Sequence, residues 1–146
     1  MKKIFYLTLF ILCTPAIYGQ SAAFNQAKSK LIDEFKETGF SIMDSGTIKL
    51  TASINYIQSE PEQEYKSGET YAFAFVFDNC ESCEVDIFYY DDKTPGKKYV
   101  KTETTRSNSV TTVYCFMKME ETKKLNVRGG TNDGKTRSVY MAALHY

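Results

Sequence analysis

The sequence predicts a mainly β fold, an antiparallel β-sandwich of the jelly-roll or Greek-key kind, with one N-terminal α-helix. Three observations point there. After Gly39 the chain reads as about seven short strands separated by turn residues. No strand alternates with a helix, which argues against a parallel α/β sheet. The 146 residues are 42% hydrophobic, 14% aromatic and 25% charged, with a formal net charge of zero, the composition of one globular domain. That composition excludes a disordered chain, a collagen-like chain, a multi-span membrane protein and a strongly basic nucleic-acid binder.

The chain opens with a segment that is expected to lie outside the fold. Lys2 and Lys3 precede an apolar run from Ile4 to Ile17, too short to span a bilayer comfortably. Ala16 and Gly19 are small, and Gln20 follows. This predicts a signal peptide over 1–19, the alternative being an uncleaved anchor. Leu12 before Cys13 argues against a lipoprotein. Cleavage leaves one predicted domain over 20–146, periplasmic or secreted and not membrane-spanning, in which disulfides are permitted.

A helix is predicted over about 21–38. Phe24, Ala27, Leu31 and Phe35 recur at helical spacing, Ser21 is a fitting N-cap, and Gly39 stands where a left-handed residue ends a helix. Thr47 to Ile57 alternates as one half-buried strand, and Gln58 to Glu69 reads as a loop. Thr70 to Phe77 is the most apolar strand: Tyr71, Phe73, Phe75 and Phe77 share one face, and Ala72, Ala74 and Val76 the other. The small face suits close packing beneath the helix. Glu84 to Tyr90 is a strand, Asp91 to Gly96 a turn, and Tyr99 to Thr105 a Thr-rich edge strand. Val110 to Met119, a short Leu125 to Arg128 and Val139 to Tyr146 follow, with Gly129 to Gly134 as a flexible loop. The expected core includes Phe24, Leu31, Phe35, Phe73, Phe75, Val113, Leu125 and Val139.

The neutral total hides an asymmetry. Residues 20–92 carry a net charge of −9 and residues 93–146 a net charge of +7. Such halves attract each other within a fold or between molecules.

Several groups of residues bear on chemistry. Cys80 and Cys83 sit in a turn of a predicted exported β-protein, away from any helix N-terminus that would activate a thiol, so a structural disulfide is expected. Cys115 is left as a buried thiol or as a bridge to one of them. With His145 the three also form a Cys₃His zinc inventory, but without a known zinc spacing. Asp78, Glu84, Asp86, Asp91 and Asp92 surround two successive turns, and hard cations take oxygen ligands from such groups. Convergence of Asp78, Asp86 and Asp91 at one end of the sandwich would demand either calcium or a lysine among Lys93, Lys97 and Lys98. No catalytic arrangement stands out, since His145 is the only histidine and nothing marks two acids as a pair. Tyr56, Tyr65, Tyr71, Tyr89, Tyr90, Tyr99 and Tyr114 could furnish an aromatic platform for a sugar or peptide, or a core and its rim.

The run Gly68-Glu69-Thr70-Tyr71-Ala72-Phe73, followed by Phe77-Asp78-Asn79-Cys80-Glu81-Ser82-Cys83-Glu84-Val85-Asp86-Ile87-Phe88-Tyr89-Tyr90-Asp91, resembles the bacterial pre-peptidase C-terminal domain. The resemblance extends over roughly residues 50–146, with Glu84 where that family often has Asp. It implies a small, non-catalytic jelly-roll accessory module of the kind attached to secreted enzymes, some of which hold calcium. The expectation is therefore a non-catalytic binding or accessory module for an extracellular protein or glycan. No cofactor is expected beyond the calcium weighed above, and no nucleic acid. A small carboxylate-dependent hydrolase and a calcium-stabilised structural domain are the alternatives.

Overall fold

The structure, a computed structural model, describes residues 19–146. The predicted leader, apart from Gly19, lies outside the described residues. Two antiparallel sheets face each other, and one helix lies on the outer side of the first. The elements are α1 (Ala22–Glu37), β1 (Ser41–Leu50), β2 (Tyr56–Gln58), β3 (Glu64–Tyr65), β4 (Thr70–Phe77), β5 (Val85–Asp91), β6 (Lys98–Tyr99), β7 (Glu103–Ser107), β8 (Val110–Lys118), β9 (Lys123–Thr131) and β10 (Arg137–His145). The first sheet has the order β1-β10-β4-β8-β7. The second has the order β2-β9-β5-β6, with β3 also paired to β9.

This order is a jelly roll. β1 pairs with β10, β2 with β9, β4 with β8 and β5 with β6, all antiparallel. The pairs nest like one long hairpin folded over on itself, and the chain changes sheet at most of its connections. Among the described residues no helix is long and apolar enough to cross a membrane.

Alternation along β4 builds both sides of the first sheet. Tyr71, Phe73, Phe75 and Phe77 enter the space between the sheets, with Val113, Cys115, Leu125, Val127, Val139 and Met141. Ala72, Ala74 and Val76 face outward with Ala142 and Leu144, and Phe24, Leu31 and Phe35 of α1 cover them. The small side chains let the helix come close, as the sequence predicts. All eight expected core residues are buried.

Local chemistry fixes both helix ends. Ser21 Oγ accepts from Phe24 N at 3.1 Å, a normal N-cap bond. At the other end Gly39 has φ +94°, its N–H donates to Lys36 O, and Phe40 N donates to Phe35 O at 2.9 Å. That is a Schellman motif, and the Phe35 and Phe40 rings close it at 5.4 Å.

Three sequence expectations need correction. Thr47 to Ile57 is two strands in different sheets, not one. The Thr51 hydroxyl accepts from Ser53 N and Ile54 N and turns the chain out of the first sheet, leaving Ile54 exposed. Tyr99 to Thr105 likewise divides, β6 closing the second sheet and β7 edging the first. Gly129 to Thr131 is not loop but the end of β9, a central strand of the second sheet. A Cβ at Gly129 would lie 2.5 Å from the Phe75 ring, and one at Gly130 would lie 2.1 Å from Asn55 O. These glycines let neighbours approach; they do not loosen the chain. Smaller differences are that Tyr65, read as loop, is buried in short β3, and that β9 begins at Lys123.

Candidate functional site

Among the described residues no helix covers the outer face of the second sheet. Residues paired directly across antiparallel strands share a face, so the register maps this surface. One rung crosses all four strands: Gln58, Arg128, Phe88 and Tyr99. The next holds Tyr56, Gly130 and Asp86, and on the other side lie Asn126 and Tyr90. β5 explains why the aromatics stand here. Val85, Ile87 and Tyr89 turn inward to the core, so Asp86, Phe88 and Tyr90 turn outward.

The rings on this face are in contact with one another and with cations. Phe88 meets Tyr90 at 5.8 Å and Tyr99 at 6.3 Å between centroids. Lys97 Nζ lies 3.9 Å from the Phe88 centroid and 4.7 Å from that of Tyr99. The Arg128 guanidinium lies 4.6 Å from the Tyr56 ring and 5.0 Å from the Tyr90 ring. These are cation–π distances. Arg128 Nε donates to Asn126 Oδ1, and Asn132 Nδ2 donates to Asp86 Oδ2 at 2.7 Å. Tyr99 is 66% exposed, Tyr56 37% and Tyr90 36%. From β2 to β6 the face spans three strand intervals, about 14 Å. It is a shallow aromatic strip interleaved with hydrogen-bonding groups.

Of the seven tyrosines considered as a platform, the face therefore collects Tyr56, Tyr90 and Tyr99. Tyr65 and Tyr71 are buried between the sheets, and Tyr89 points inward. Burial pushes the Tyr65 hydroxyl up to about 12. Tyr114 packs beside the helix and donates to Glu103 Oε2 at 2.6 Å.

The acidic residues do not converge. Asp78 is buried and anchors the helix: its carboxylate accepts from Ser21 N at 3.0 Å and Ser21 Oγ at 2.6 Å. Asp86 and Asp91 are five steps apart on one extended strand, about 17 Å, which prevents them from sharing an ion. Asp91 meets Lys98 Nζ at 2.7 Å and Lys123 Nζ at 3.7 Å, and it accepts from the backbone of Lys93 and Thr94. Burial favours its neutral acid. The bonds from Lys98, Thr94 and Lys93 outweigh that and hold the carboxyl well below its usual range. The lysine-paired turn is thus what the structure contains at Asp91. Glu84 is exposed at the rim of an open groove of about 420 Å³, together with Cys80, Cys83, Asn132 and Lys135. Among the described residues no three His, Cys, Asp or Glu side chains gather as a metal site.

The Cys80 and Cys83 sulfurs are bonded, with Cα atoms 5.2 Å apart. Cys115 is a buried free thiol, pushed up to about 12 by burial. It is thus neither a bridge nor part of a zinc set. His145 stacks on Tyr71 at 5.0 Å, and its Nε2 lies 3.0 Å from Glu69 Oε2, which also accepts from Tyr71 Oη at 2.5 Å. The Tyr71 bond, with His145 and Lys66 nearby, lowers the Glu69 carboxyl.

No protein-family model, curated protein or solved structure matches this chain. Sequence reasoning missed Arg128, Phe88, Asn126 and Gln58. Phe88 was within reach: it shares its parity with Asp86 and Tyr90, opposite the inward Val85, Ile87 and Tyr89. Arg128 was not, because its role depends on a pairing across strands distant in the chain.

Proposed function

We propose that this protein is a non-catalytic binding module that works outside the cytoplasm, and that its ligand is a glycan chain lying across the open face of the second sheet. One observation carries the reading: the outward aromatic row of Tyr56, Tyr90, Phe88 and Tyr99 on a sheet face that no helix among the described residues covers. Contiguous exposed aromatics mark interaction sites. Tyrosine and phenylalanine rings offer flat apolar surface to the C–H face of a pyranose at low entropic cost, since two torsions fix each ring. Gln58, Asn126, Arg128 and Asn132 lie between or beside the rings and supply donors and acceptors for hydroxyl groups. The resemblance to accessory modules of secreted enzymes and the predicted leader support the same reading.

The test is electrophoresis through gels containing soluble polysaccharides. Wild type should be retarded by at least one of them, and Tyr99→Ala and Tyr90→Ala should migrate freely there with unchanged melting temperatures. Both side chains are exposed enough for the variants to fold. Variants retarded as strongly as wild type, or a wild type that none retards, would remove the face as a glycan site.

A further inference from the structure

Resting on that reading, we infer that the glycan is acidic and that Arg128 receives a carboxylate of the sugar chain. The argument starts from the guanidinium. Arg128 stands in the middle of the face, on the rung that crosses all four strands, with Gln58 on one side and Phe88 on the other. The Tyr56 and Tyr90 rings both lie against it, at 4.6 and 5.0 Å. Its Nε is taken up by Asn126. Among the described residues no carboxylate lies within 4 Å of it, and its two terminal nitrogens donate no hydrogen bond. An arginine restrained at Nε and by two rings, with both terminal nitrogens free, presents the donor fork that matches a planar carboxylate.

Lys97 extends the same argument along the face. Its ammonium sits over Phe88 and Tyr99, and no carboxylate lies within 4 Å among the described residues. Other cations of the second sheet are already matched: Lys98 and Lys123 by Asp91, and Lys124 by Glu62. On the three rungs Asp86 is the only carboxylate, and Asn132 donates to it. The face thus keeps an excess of positive charge beside its rings, although residues 20–146 as a whole carry a net charge of −2. A neutral glycan would use the rings and bring no carboxylate to either cation. A chain with a carboxylate on its sugar units would use both.

The experiment compares soluble uronate polysaccharides, namely polygalacturonate, alginate and hyaluronate, with their carboxyl-reduced counterparts, by titration calorimetry on the purified protein. At least one uronate chain should bind about ten-fold or more tightly than its reduced form, and the difference should shrink as NaCl is raised. Arg128→Gln should remove most of the difference, and Arg128→Lys should not restore it. Lys97→Gln, at an exposed position, should reduce it without touching the fold. Equal binding of acidic and reduced chains would overturn the acidic ligand and leave the glycan reading standing. No binding to either form, nor to neutral glucans, would overturn both. Poly-L-glutamate bound as tightly as the best uronate chain would show a general polyanion site and would also overturn the inference.

Discussion

Gly129→Ala is a one-carbon change on which the registry of the whole sandwich can be tested. Gly129 lies in β9, with Ile87 beside it in β5 and Ile57 in β2. The added Cβ would sit 2.5 Å from two carbons of the Phe75 ring and 2.9 Å from Ile87 Cδ1. Carbon atoms settle at about 3.5–4.0 Å, so the facing sheet must yield by about 1 Å. Phe75 is fully buried at the centre of β4 between Met141 and Val113. Overpacking of this kind costs about 1–3 kcal/mol, a large part of the stability of a domain this size. A urea melt followed by far-UV circular dichroism measures the loss. Phe75→Leu removes the ring atoms that meet the new methyl group, so the double variant Gly129→Ala/Phe75→Leu should recover about 1 kcal/mol relative to the sum of the singles. A Gly129→Ala protein within 0.5 kcal/mol of wild type, with no coupling to Phe75, would show that the glycine faces open space and that β9 is out of register.

Three further outcomes follow from the same geometry. Asp78→Ala strips Ser21 of two hydrogen bonds at the helix N-cap and should cost about 2–3 kcal/mol, with helical signal lost before strand signal in denaturant; a simultaneous loss with an unchanged midpoint would contradict the anchor. Asp91 has a depressed folded pKa, so its contribution is whole above the ordinary carboxylate value near pH 4 and fades as pH falls through the folded value. The melting temperature of Asp91→Asn should therefore change less between pH 5 and pH 2 than that of wild type, and parallel curves would refute the pairing. Cys115 should resist iodoacetamide in the native protein at pH 8 and react fully in guanidinium, because burial pushes its thiol up to about 12; rapid native labelling would place it at the surface.

Much of the fold was legible because alternation with a period of two reports which side of a strand is buried. Tyr71, Phe73, Phe75 and Phe77 against Ala72, Ala74 and Val76 gave both faces of β4, and Ser21 and Gly39 marked the helix ends. Alternation does not report which sheet a strand belongs to. The run from Ile48 to Tyr56 alternates unbroken in the sequence, yet Leu50 lies in the core and Tyr56 on an outer face, because the chain leaves one sheet and joins the other between them; the chain also changes sheet between Tyr99 and Glu103. Glycine misled for a related reason. In a sequence Gly129-Gly130 reads as flexibility, whereas in the fold the missing side chains admit a Phe75 ring on one face and the Asn55 carbonyl on the other. The acidic residues misled through distance. Asp86 and Asp91 are near in the chain, but an extended strand carries them about 17 Å apart.

The same alternation that builds the core decides what happens on the two outer faces. On the first sheet the outward residues beneath the helix, Ala72, Ala74, Val76, Ala142 and Leu144, are apolar, and Tyr140 joins them in the same cluster. Such a face must be covered, and α1 covers it with Phe24, Leu31 and Phe35, held in place by Asp78 at one end and the Phe35–Phe40 contact at the other. On the second sheet the outward residues are mixed. Arg128 and Lys97 lie over the rings of Tyr56, Tyr90, Phe88 and Tyr99, so the aromatic surface tolerates water without a covering element. The cations also restrain the rings before any ligand arrives, which lowers the ordering cost of binding. A face of this composition needs no partner to be stable. The ligand proposed for this face would therefore meet rings that are already ordered.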